Sequence, residues 1–474
     1  MEPILLASAF LAVWGLLLLL KRLLRPNTLS DIRGPPSPSF FFGHEYQLLN
    51  QDEAGDFDFK HLGECGTVWK AKTCLDVDNL VVADPLAVQH ILHASRYMYP
   101  KRADISQNLK LVLGDGIVVA VGDTHSRQKK AMNPAFSASQ LKTIVPVFQR
   151  SVDHLCRKLK VDADKINGES SINLASLLSR YAFFLLGRPA LNYEFDALDE
   201  VDGPFVKAFN GLHTDSGLYP RNGTSCSGHS WLYFPQWFLN LVQYTPIAEY
   251  IKLRHFVKLA KSTAKKHIEE RKDVVLEEEE KGRKDVFSLL VRANKDEEAK
   301  YKMSEDEIYC QFSTMVLAGH DTTANTIPGR FTSAANAPKS STGYALEIMA
   351  ARQEHGIIDD EAALDTHMLV RSLRGKLLVL ILPGLQESCR LHPIFSTLAR
   401  EAGQDDVIPL SFPIQTQSGA LVDSITVRKG QSIGISVCAY NRIRAIWGED
   451  AHEWNRDSYR LLITWLLGAI LNLG

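Results

Sequence analysis

The feature that most constrains the fold is a segment around residue 310 in which apolar and polar residues repeat with helical period. Ser304 and Glu307 form a capping-box pattern, which predicts that a helix begins there. One face of residues 304–326 then carries the apolar or small residues Ile308, Phe312, Met315, Val316, Gly319 and Thr323. A stripe of this kind predicts a long helix packed against the protein core.

The middle of this helix contains an unusual run, Ala-Gly-His-Asp-Thr-Thr at residues 318–323. Glycine costs roughly 1 kcal/mol inside a helix. Thr322 is placed to donate a hydrogen bond to the carbonyl of Ala318, which bends a helix. Small residues beside an acid and two hydroxyls predict a notch where a flat group approaches the backbone. A core helix that merely carries a polar patch is the alternative.

Composition narrows the class of protein. The 474 residues carry 53 Lys and Arg against 55 Asp and Glu, so the net charge of −2 argues against nucleic-acid binding. The 7 cysteines include no Cys-x-x-Cys pair, so neither a disulfide scaffold nor a thiolate zinc site is expected. Cys226 and His229 form a single pair of ligand types, which is too few for zinc. Gly114-Asp115-Gly116 lacks the third glycine of a dinucleotide loop.

Hydrophobic periodicity predicts a helical body with small sheets. Strands are expected within residues 66–83 and 407–437, and Asp84-Pro85 predicts the N-cap and first residue of a helix through Leu92. Helical period dominates residues 125–160, 171–185, 235–272 and 304–326. The last of these helices should stop at Pro328-Gly329. The predicted fold class is therefore mainly α, of the α+β type.

A membrane anchor is predicted at residues 1–25. Residues 4–20 are nearly all apolar and are followed by Lys21, Arg22 and Arg25, which by the positive-inside rule leaves the remaining chain in the cytosol. A cleaved signal peptide is the alternative, but its positive charges would precede the apolar run. Residues 26–39, with three prolines near one glycine, predict a stiff hinge before a domain that starts near residue 40.

Further motifs follow in a fixed order along the chain. They are Gly-Asp-Thr-His-Ser-Arg-Gln-Lys-Lys at 122–130, Asn-Pro-Ala-Phe-Ser at 133–137, the notch at 318–323, Glu-Ser-Cys-Arg-Leu-His-Pro at 387–393, Arg-Glu-Ala at 400–402, Asp-Asp-Val-Ile-Pro-Leu at 405–410, Ala-Tyr-Asn-Arg at 439–442 and Trp-Gly-Glu-Asp-Ala at 447–451. With the anchor and hinge, this set resembles the cytochrome P-450 family, the haem-thiolate monooxygenases, in its microsomal fungal form. The resemblance implies a cytochrome P-450-like domain over residues 40–460, in which residues 328–380 match poorly.

The resemblance implies residues that would contact haem. His125 and Lys129 would bind the anionic haem carboxylates, for which a basic helix is suited. Ala318 and Gly319 would lie against the haem face, where small side chains let the helix approach closely.

The resemblance also implies a catalytic pair and a structural pair. Asp321 and Thr322 would be the acid and alcohol that relay protons toward oxygen in a dry pocket. Glu387 and Arg390 lie at i and i+3 on one helix face and would form an ion pair that locks the core. A surface ion pair of little energetic consequence is the alternative for these two residues.

The implied function is insertion of one oxygen atom from dioxygen into a lipophilic small molecule, in fungal specialised metabolism with terpenoids as the expected class. Haem is the implied cofactor, and an NADPH–cytochrome P-450 reductase is the implied electron donor. The basic residues Arg127, Lys129 and Lys130 would contribute to docking an acidic partner. The protein would cross the endoplasmic reticulum membrane once with a cytosolic catalytic domain, which leaves the sequon at Asn222 unused.

Two regions depart from the family pattern. The family places its iron ligand in a Phe-x-x-Gly-x-Arg-x-Cys-x-Gly loop, and no such loop follows Tyr459, so no metal ligand is predicted. Cys438 is expected to be a small buried hydrophobe within a strand, and Cys389 a structural residue. Ser458 stands where the family has arginine. Residues 328–380 and the apolar tail at 461–474 lack family counterparts.

These departures leave three interpretations open. The chain is a membrane-anchored haem monooxygenase, or an inactive or haem-free relative that binds an apolar ligand, or a fragment of such an enzyme that results from an incorrect gene model with missed or retained introns.

Overall fold

The computed structural model describes residues 28–94, 96–165, 174–187, single residues and short stretches between 191 and 246, and residues 248–271, 301–336 and 386–455. The predicted anchor, the sequon at Asn222, the Cys226–His229 pair and the apolar tail lie outside the described residues. The chain divides into two compact bodies. The first comprises Met1–Asn108, Tyr219–Pro246 and Thr397–Ser436, and the second comprises Leu109–Leu218, Ile247–Ser396 and Val437–Gly474.

Among the helices of the described chain, none is both long and apolar enough to cross a membrane.

A four-stranded sheet organises the first body. Its strands are β1 (Val68–Thr73), β2 (Val77–Val82), β3 (Thr397–Glu401) and β6 (Ser432–Ser436), in the spatial order β1-β2-β6-β3. Strands β2 and β6 run parallel, and the other pairs run antiparallel. A separate antiparallel pair joins β4 (Asp406–Gln415) to β5 (Leu421–Val427). The strands predicted within 66–83 and 407–437 are therefore confirmed.

Strand β3 is the one that sequence reasoning did not predict. Its sequence, Thr-Leu-Ala-Arg-Glu, contains little β propensity. Its pairing with β6, from Thr397 opposite Ser436 to Glu401 opposite Ser432, supplies the backbone hydrogen bonds instead. Here a partner distant in sequence decides the local conformation.

Short helices flank this sheet. They are α1 (Glu45–Leu49), α2 (Asp56–Cys65) and α3 (Pro85–Gln89), which continues as a π-helical turn at His90–Ala94. Helix α4 (Ala103–Leu113) spans the division between the bodies. The core of the first body is aliphatic, with Leu80, Val82, Ile408, Val427 and Ile433 fully buried.

Asp84 fixes the start of α3, as the sequence predicts. Its carboxylate is fully buried. The two oxygens accept hydrogen bonds of 2.8–3.2 Å from the N–H groups of Leu86, Ala87, Ser411 and Phe412 and from the hydroxyl of Thr67. One side chain therefore caps α3 and joins it to β4.

The segment predicted to be a hinge is packed into the first body. Leu29 and Ile32 are buried in its core. The N–H of Lys70 in β1 donates to the carbonyl of Arg33 at 2.8 Å, and a Cβ on Gly34 would lie 1.9 Å from the Lys70 carbonyl oxygen. An extended proline-rich segment suits the edge of a sheet. The chain consequently joins the folded body by residue 29 rather than near residue 40.

The second body is built from helices, which confirms the mainly α fold class. They are α5 (Gly122–Met132), α6 (Ala138–Lys165), α7 (Leu174–Leu186), α8 (Ala248–Arg271) and α9 (Glu305–Asn336), followed by a helical segment at 386–391, α10 (Val437–Tyr440) and α11 (Arg444–Trp447). Phe183 of α7, Phe256 of α8 and Phe312 of α9 are fully buried in one core.

Three predicted boundaries differ from the structure. Residues 125–160 are two helices, because Pro134 lies in a 3₁₀ turn (Asn133–Phe136) between α5 and α6. Helix α9 does not stop at Pro328 but continues to Asn336, since the packing of a long helix outweighs the lost N–H donor and the clash of the proline ring. Cys438 lies in α10 rather than in a strand, because its N–H and that of Val437 donate to the carbonyl of Ser396.

We predict that Asp84→Ala lowers the free energy of unfolding by about 2–4 kcal/mol, because it removes the cap of α3 and leaves buried N–H donors unpaired. Urea unfolding followed by tryptophan fluorescence measures this change. Asp423→Ala, at an exposed position of β5, is the matched control and should change stability by less than about 0.5 kcal/mol. Equal midpoints for the two variants would contradict the role assigned to Asp84.

Candidate functional site

The notch predicted in α9 is built from threonine side chains that bond back to the helix. The hydroxyl of Thr322 donates to the carbonyl of Ala318 at 2.6 Å, which confirms the predicted bond. Thr326 donates to the carbonyl of Thr322 at 2.6 Å, and Thr314 to that of Cys310 at 2.9 Å. Ala318 is exposed within this ladder. The helix therefore presents a small apolar side chain between hydroxyls that are held on backbone carbonyls.

Gly319 serves helix packing in this structure. A Cβ at this position would lie 2.6 Å from Cδ1 of Leu186 in α7. The absent side chain thus lets α7 approach α9 at this position. Asp321 also lies in α9, directly before Thr322. Its side chain is not among those that the structure describes.

A glycine-containing loop lies against α9 near Cys310. A Cβ on Gly114 would lie 2.4 Å from Sγ of Cys310, and one on Gly116 would lie 2.5 Å from the Thr314 hydroxyl. The N–H of Ile117 donates to Oε1 of Gln311 at 3.2 Å. These glycines therefore permit close packing of the loop on α9.

A buried polar network joins α5 to α9. Gln128 and Gln311 are fully buried, and Nε2 of Gln311 donates to Oε1 of Gln128 at 3.1 Å. Gln128 also donates to Glu307 at 3.0 Å, and the two terminal guanidinium nitrogens of Arg127, Nη1 and Nη2, donate to the same carboxylate. Glu307 completes the predicted capping box with Ser304, through bonds of 2.8 and 3.2 Å.

The acidity of Glu307 reflects these contacts. Burial favours a raised pKa, but the hydrogen bonds from Arg127, from the N–H of Ser304 and from Gln128 outweigh it and lower the pKa of Glu307 to about 2. The carboxylate is therefore charged at neutral pH and holds the N-terminal turn of α9 to α5.

The residues predicted to bind haem carboxylates lie on one face of α5. His125 is half-buried and Lys129, one turn later, is exposed. The contacts between α5 and α9 occur at Glu307 and Gln311, about 10–17 Å before Ala318 along the helix axis.

The basic cluster expected for partner docking is smaller than the sequence suggests. Arg127 is committed to Glu307. The ammonium of Lys130 lies 4.9 Å from the ring centroid of Tyr301. Lys129 and Lys130 are both exposed in the described structure.

Sequence reasoning missed a pair of half-buried cations in the first body. Lys101 and Arg400 form an isolated antiparallel bridge. Burial lowers the pKa of Lys101, the positive charge of Arg400 lowers it further, and burial also lowers the pKa of Arg400. Within the described residues neither is ion-paired with a carboxylate. Two neighbouring cations without a counter-ion suit an anionic ligand. The sequence gives little indication of this pair, because 299 positions separate residue 101 from residue 400.

The predicted structural pair forms a buried, bidentate ion pair. Nε and Nη2 of Arg390 donate to the two carboxylate oxygens of Glu387 at 2.8 and 2.7 Å, and both side chains are almost fully buried. The remaining N–H groups of Arg390 donate to the carbonyls of Asn441, Ala451 and Glu453 at 2.6–3.0 Å. The pair thereby attaches segment 386–391 to residues 441–453, which is more than a surface ion pair would do.

Two of the described cysteines discussed above, Cys310 and Cys438, are buried side chains. Cys310 is buried under the Gly114 loop, and burial raises the pKa of its thiol. Cys438 is buried in α10, and Cys389 lies beside Arg390 in the helical segment. In the part of the chain that the structure describes, no three His, Cys, Asp or Glu side chains are grouped to hold a metal ion.

The haem implied by the resemblance therefore fits the chain in part. Within the second body, His125 and Lys129 offer cations for its carboxylates, and Ala318 offers a small apolar contact for its plane. Within the first body, Lys101 and Arg400 are a further pair of cations suited to carboxylates. None of the six described cysteines stands in the ligand motif of the family.

Comparison with known proteins identifies one family. A family model described as Cytochrome P-450 matches residues 33–458. Cytochrome P-450 monooxygenase 91 of Postia placenta is 29% identical over 474 residues, which cover 95% of this chain and 82% of that protein. Cytochrome P-450 monooxygenase claP of Ampulloclitocybe clavipes is 27% identical, with 93% and 79% covered. Ganoderic acid synthetase of Ganoderma lucidum is 26% identical, with 93% and 80% covered.

We predict that Glu307→Gln removes a pH-dependent part of the stability. Because the folded pKa lies below the ordinary value of 4.5, this stability is present above about pH 5 and is lost as pH falls toward 2. The variant should lose about 1–2 kcal/mol at neutral pH and show a flatter acid profile in urea unfolding. Asp306→Asn, which disrupts an exposed pair with Lys261, is the control. An unchanged acid profile in Glu307→Gln would contradict the assignment.

We predict opposite effects of Arg400→Gln on stability and on anion binding. The ligand-free protein should become about 1 kcal/mol more stable, because the repulsion with Lys101 is removed. Its affinity for added haem, followed by absorbance titration, should fall about tenfold as a charged hydrogen bond is lost. Arg428→Gln, at a cation already paired with Asp405 near solvent, should change neither quantity. A destabilised Arg400→Gln with normal haem affinity would contradict this interpretation.

Proposed function

Because the chain belongs to the cytochrome P-450 family, whose members are monooxygenases, we propose that it is a haem-dependent monooxygenase acting on a lipophilic small molecule. The reaction inserts one oxygen atom from dioxygen into the substrate. The names of the fungal relatives, including ganoderic acid synthetase, support a role in specialised metabolism. Terpenoids are the substrate class that we propose.

The observation that carries this proposal is the notch in α9. The exposed Ala318 provides an apolar surface, and one turn later the Thr322 hydroxyl is held by the Ala318 carbonyl at 2.6 Å. Bound haem would supply an iron that activates dioxygen. The role that we assign to Asp321 and Thr322 is to hold and pass protons at this surface while water is excluded.

The proposed cofactor contacts in the second body use the cations of α5. His125 and Lys129 would bind the haem carboxylates. The Glu387–Arg390 pair would keep segment 386–391 in place. These are assignments of role, and each rests on charge and burial.

The proposed setting is the endoplasmic reticulum membrane. The apolar run at residues 4–20 and the cations after it support a single-pass anchor with a cytosolic catalytic domain. Electrons would come from an NADPH–cytochrome P-450 reductase, with Lys129 contributing to its docking.

A second candidate function is supported by the cysteines. None of the six in the described chain is placed in the ligand motif, and the thiol of Cys310 is buried with a raised pKa. A haem-free relative would use the apolar core of the second body to bind a lipophilic ligand. Such a haem-free binding protein would neither reduce dioxygen nor insert an oxygen atom into its ligand.

One spectrum separates the two candidates. The full chain is expressed with haem supplied, reduced, and treated with carbon monoxide. A Soret band at the position of thiolate-ligated haem supports the monooxygenase. Absence of haem, in a preparation that still binds an apolar fluorescent ligand, supports the binding protein.

We predict that Thr322→Val lowers product formation about 100-fold while haem content is unchanged, since the proton-holding hydroxyl is removed. Thr326→Val is the matched control, because it loses an identical back-bond of 2.6 Å one turn later. Product per haem, measured by mass spectrometry, should be close to the parent value in this control. Equal losses in the two variants would indicate a helix effect and contradict the proposed role of Thr322.

A further inference from the structure

We propose that His320 is a positioning residue that fixes the register of α9 against α7 at the notch. The inference rests on the proposed function for its chemical consequence, which is the correct presentation of Asp321 and Thr322. A hydrogen bond and ring packing hold the His320 side chain in place, and substitutions can remove these two contributions separately.

The hydrogen bond ties His320 to the backbone and side chain of one residue. Its Nε2 lies 3.1 Å from the carbonyl oxygen of Ser179 and 3.1 Å from the Ser179 hydroxyl. A carbonyl oxygen is only an acceptor, so Nε2 carries a hydrogen and donates to it. The donor is directional, and a shift of α9 along its axis would break it.

The ring is held between two phenylalanines. Its centroid lies 4.1 Å from that of Phe183 in α7 and 4.5 Å from that of Phe209, with interplanar angles of 35° and 70°. His320 is 3% exposed. Phe183 and Phe209 also contact each other at 4.9 Å, so the three rings form one packed unit.

The neighbouring residue, Gly319, makes a second contact between α9 and α7. Leu186 of α7 packs so closely on Gly319 that a Cβ there would clash with it. Residues 319 and 320 thus contact α7 at Leu186 and at Ser179, two turns apart. Contacts at two points along α7 fix both the rotation and the axial position of α9 relative to α7. The next two residues in the chain are Asp321 and Thr322.

The experiment uses the full chain and four variants. His320→Phe keeps an aromatic ring but removes the donor, His320→Gln keeps a donor, and Ser179→Ala removes the hydroxyl partner. Tyr181→Phe is the control, because it breaks a comparable buried contact, the 3.0 Å bond from Tyr181 to His154, on the same helix. Amide hydrogen exchange of residues 318–326 is measured without haem or reductase, beside residues 308–316 as an internal reference.

We expect exchange at 318–326 to accelerate at least tenfold in His320→Phe and threefold in Ser179→Ala. The reference peptide should be unchanged, and His320→Gln should restore most of the protection. Exchange in Tyr181→Phe should match the parent. If acceleration spreads equally over both peptides, or occurs equally in Tyr181→Phe, His320 is a core residue without a positioning role and the proposal is overturned.

A second measurement addresses the reaction. With haem and reductase present, hydrogen peroxide released per NADPH consumed should rise about threefold in His320→Phe and remain at the parent value in Tyr181→Phe. If the variant merely contained less folded protein, peroxide release and NADPH consumption would fall together and their ratio would stay constant. That result would overturn the proposed effect of His320 on the reaction. If the chain retains no haem, the proposed function fails, while the exchange experiment still decides whether His320 positions α9.

Discussion

The buried pair of Glu387 and Arg390 is the interaction on which the C-terminal part of the second body depends. Every donor direction of the guanidinium is used, since it holds two carboxylate oxygens and the carbonyls of Asn441, Ala451 and Glu453. Burying such a pair costs desolvation energy, and its net contribution to stability is small compared with the cost of losing one partner. Its main effect is therefore to specify a single arrangement of residues 386–391 and 441–453.

Around α9, too, single polar side chains make more than one structural contact. Glu307 both caps the helix and holds α5 through Arg127 and Gln128. Further along, threonine hydroxyls bond to the helix carbonyls, while Gly319 and His320 meet α7. Each of these groups is satisfied within the second body. Among the described side chains of this part of α9, Ala318 is a small apolar group that is exposed.

Local signals in the sequence predicted local structure well. The capping box at Ser304, the N-cap at Asp84 and the back-bond from Thr322 each depend on residues within four positions, and each is present. The continuation of α9 beyond Pro328 was missed, because a proline is a weaker stop in a long packed helix than in an isolated one.

Contacts between distant positions were not predictable in the same way. The pairing of Lys101 with Arg400, the commitment of Arg127 to Glu307, and the packing of Leu186 on Gly319 join residues that are more than 100 positions apart. Sequence periodicity contains no information about such pairs. Family resemblance supplied the motif positions, and the structure adds that Leu186 of α7 packs on Gly319.

The central claim is that this chain inserts an oxygen atom from dioxygen into a lipophilic molecule. The most direct test incubates the full chain with haem, a reductase, NADPH and a set of terpenoids under ¹⁸O₂, and measures the products by mass spectrometry. The account predicts a product that contains one ¹⁸O atom. Tight binding of a terpenoid without any labelled product, in protein that carries its haem, would contradict it.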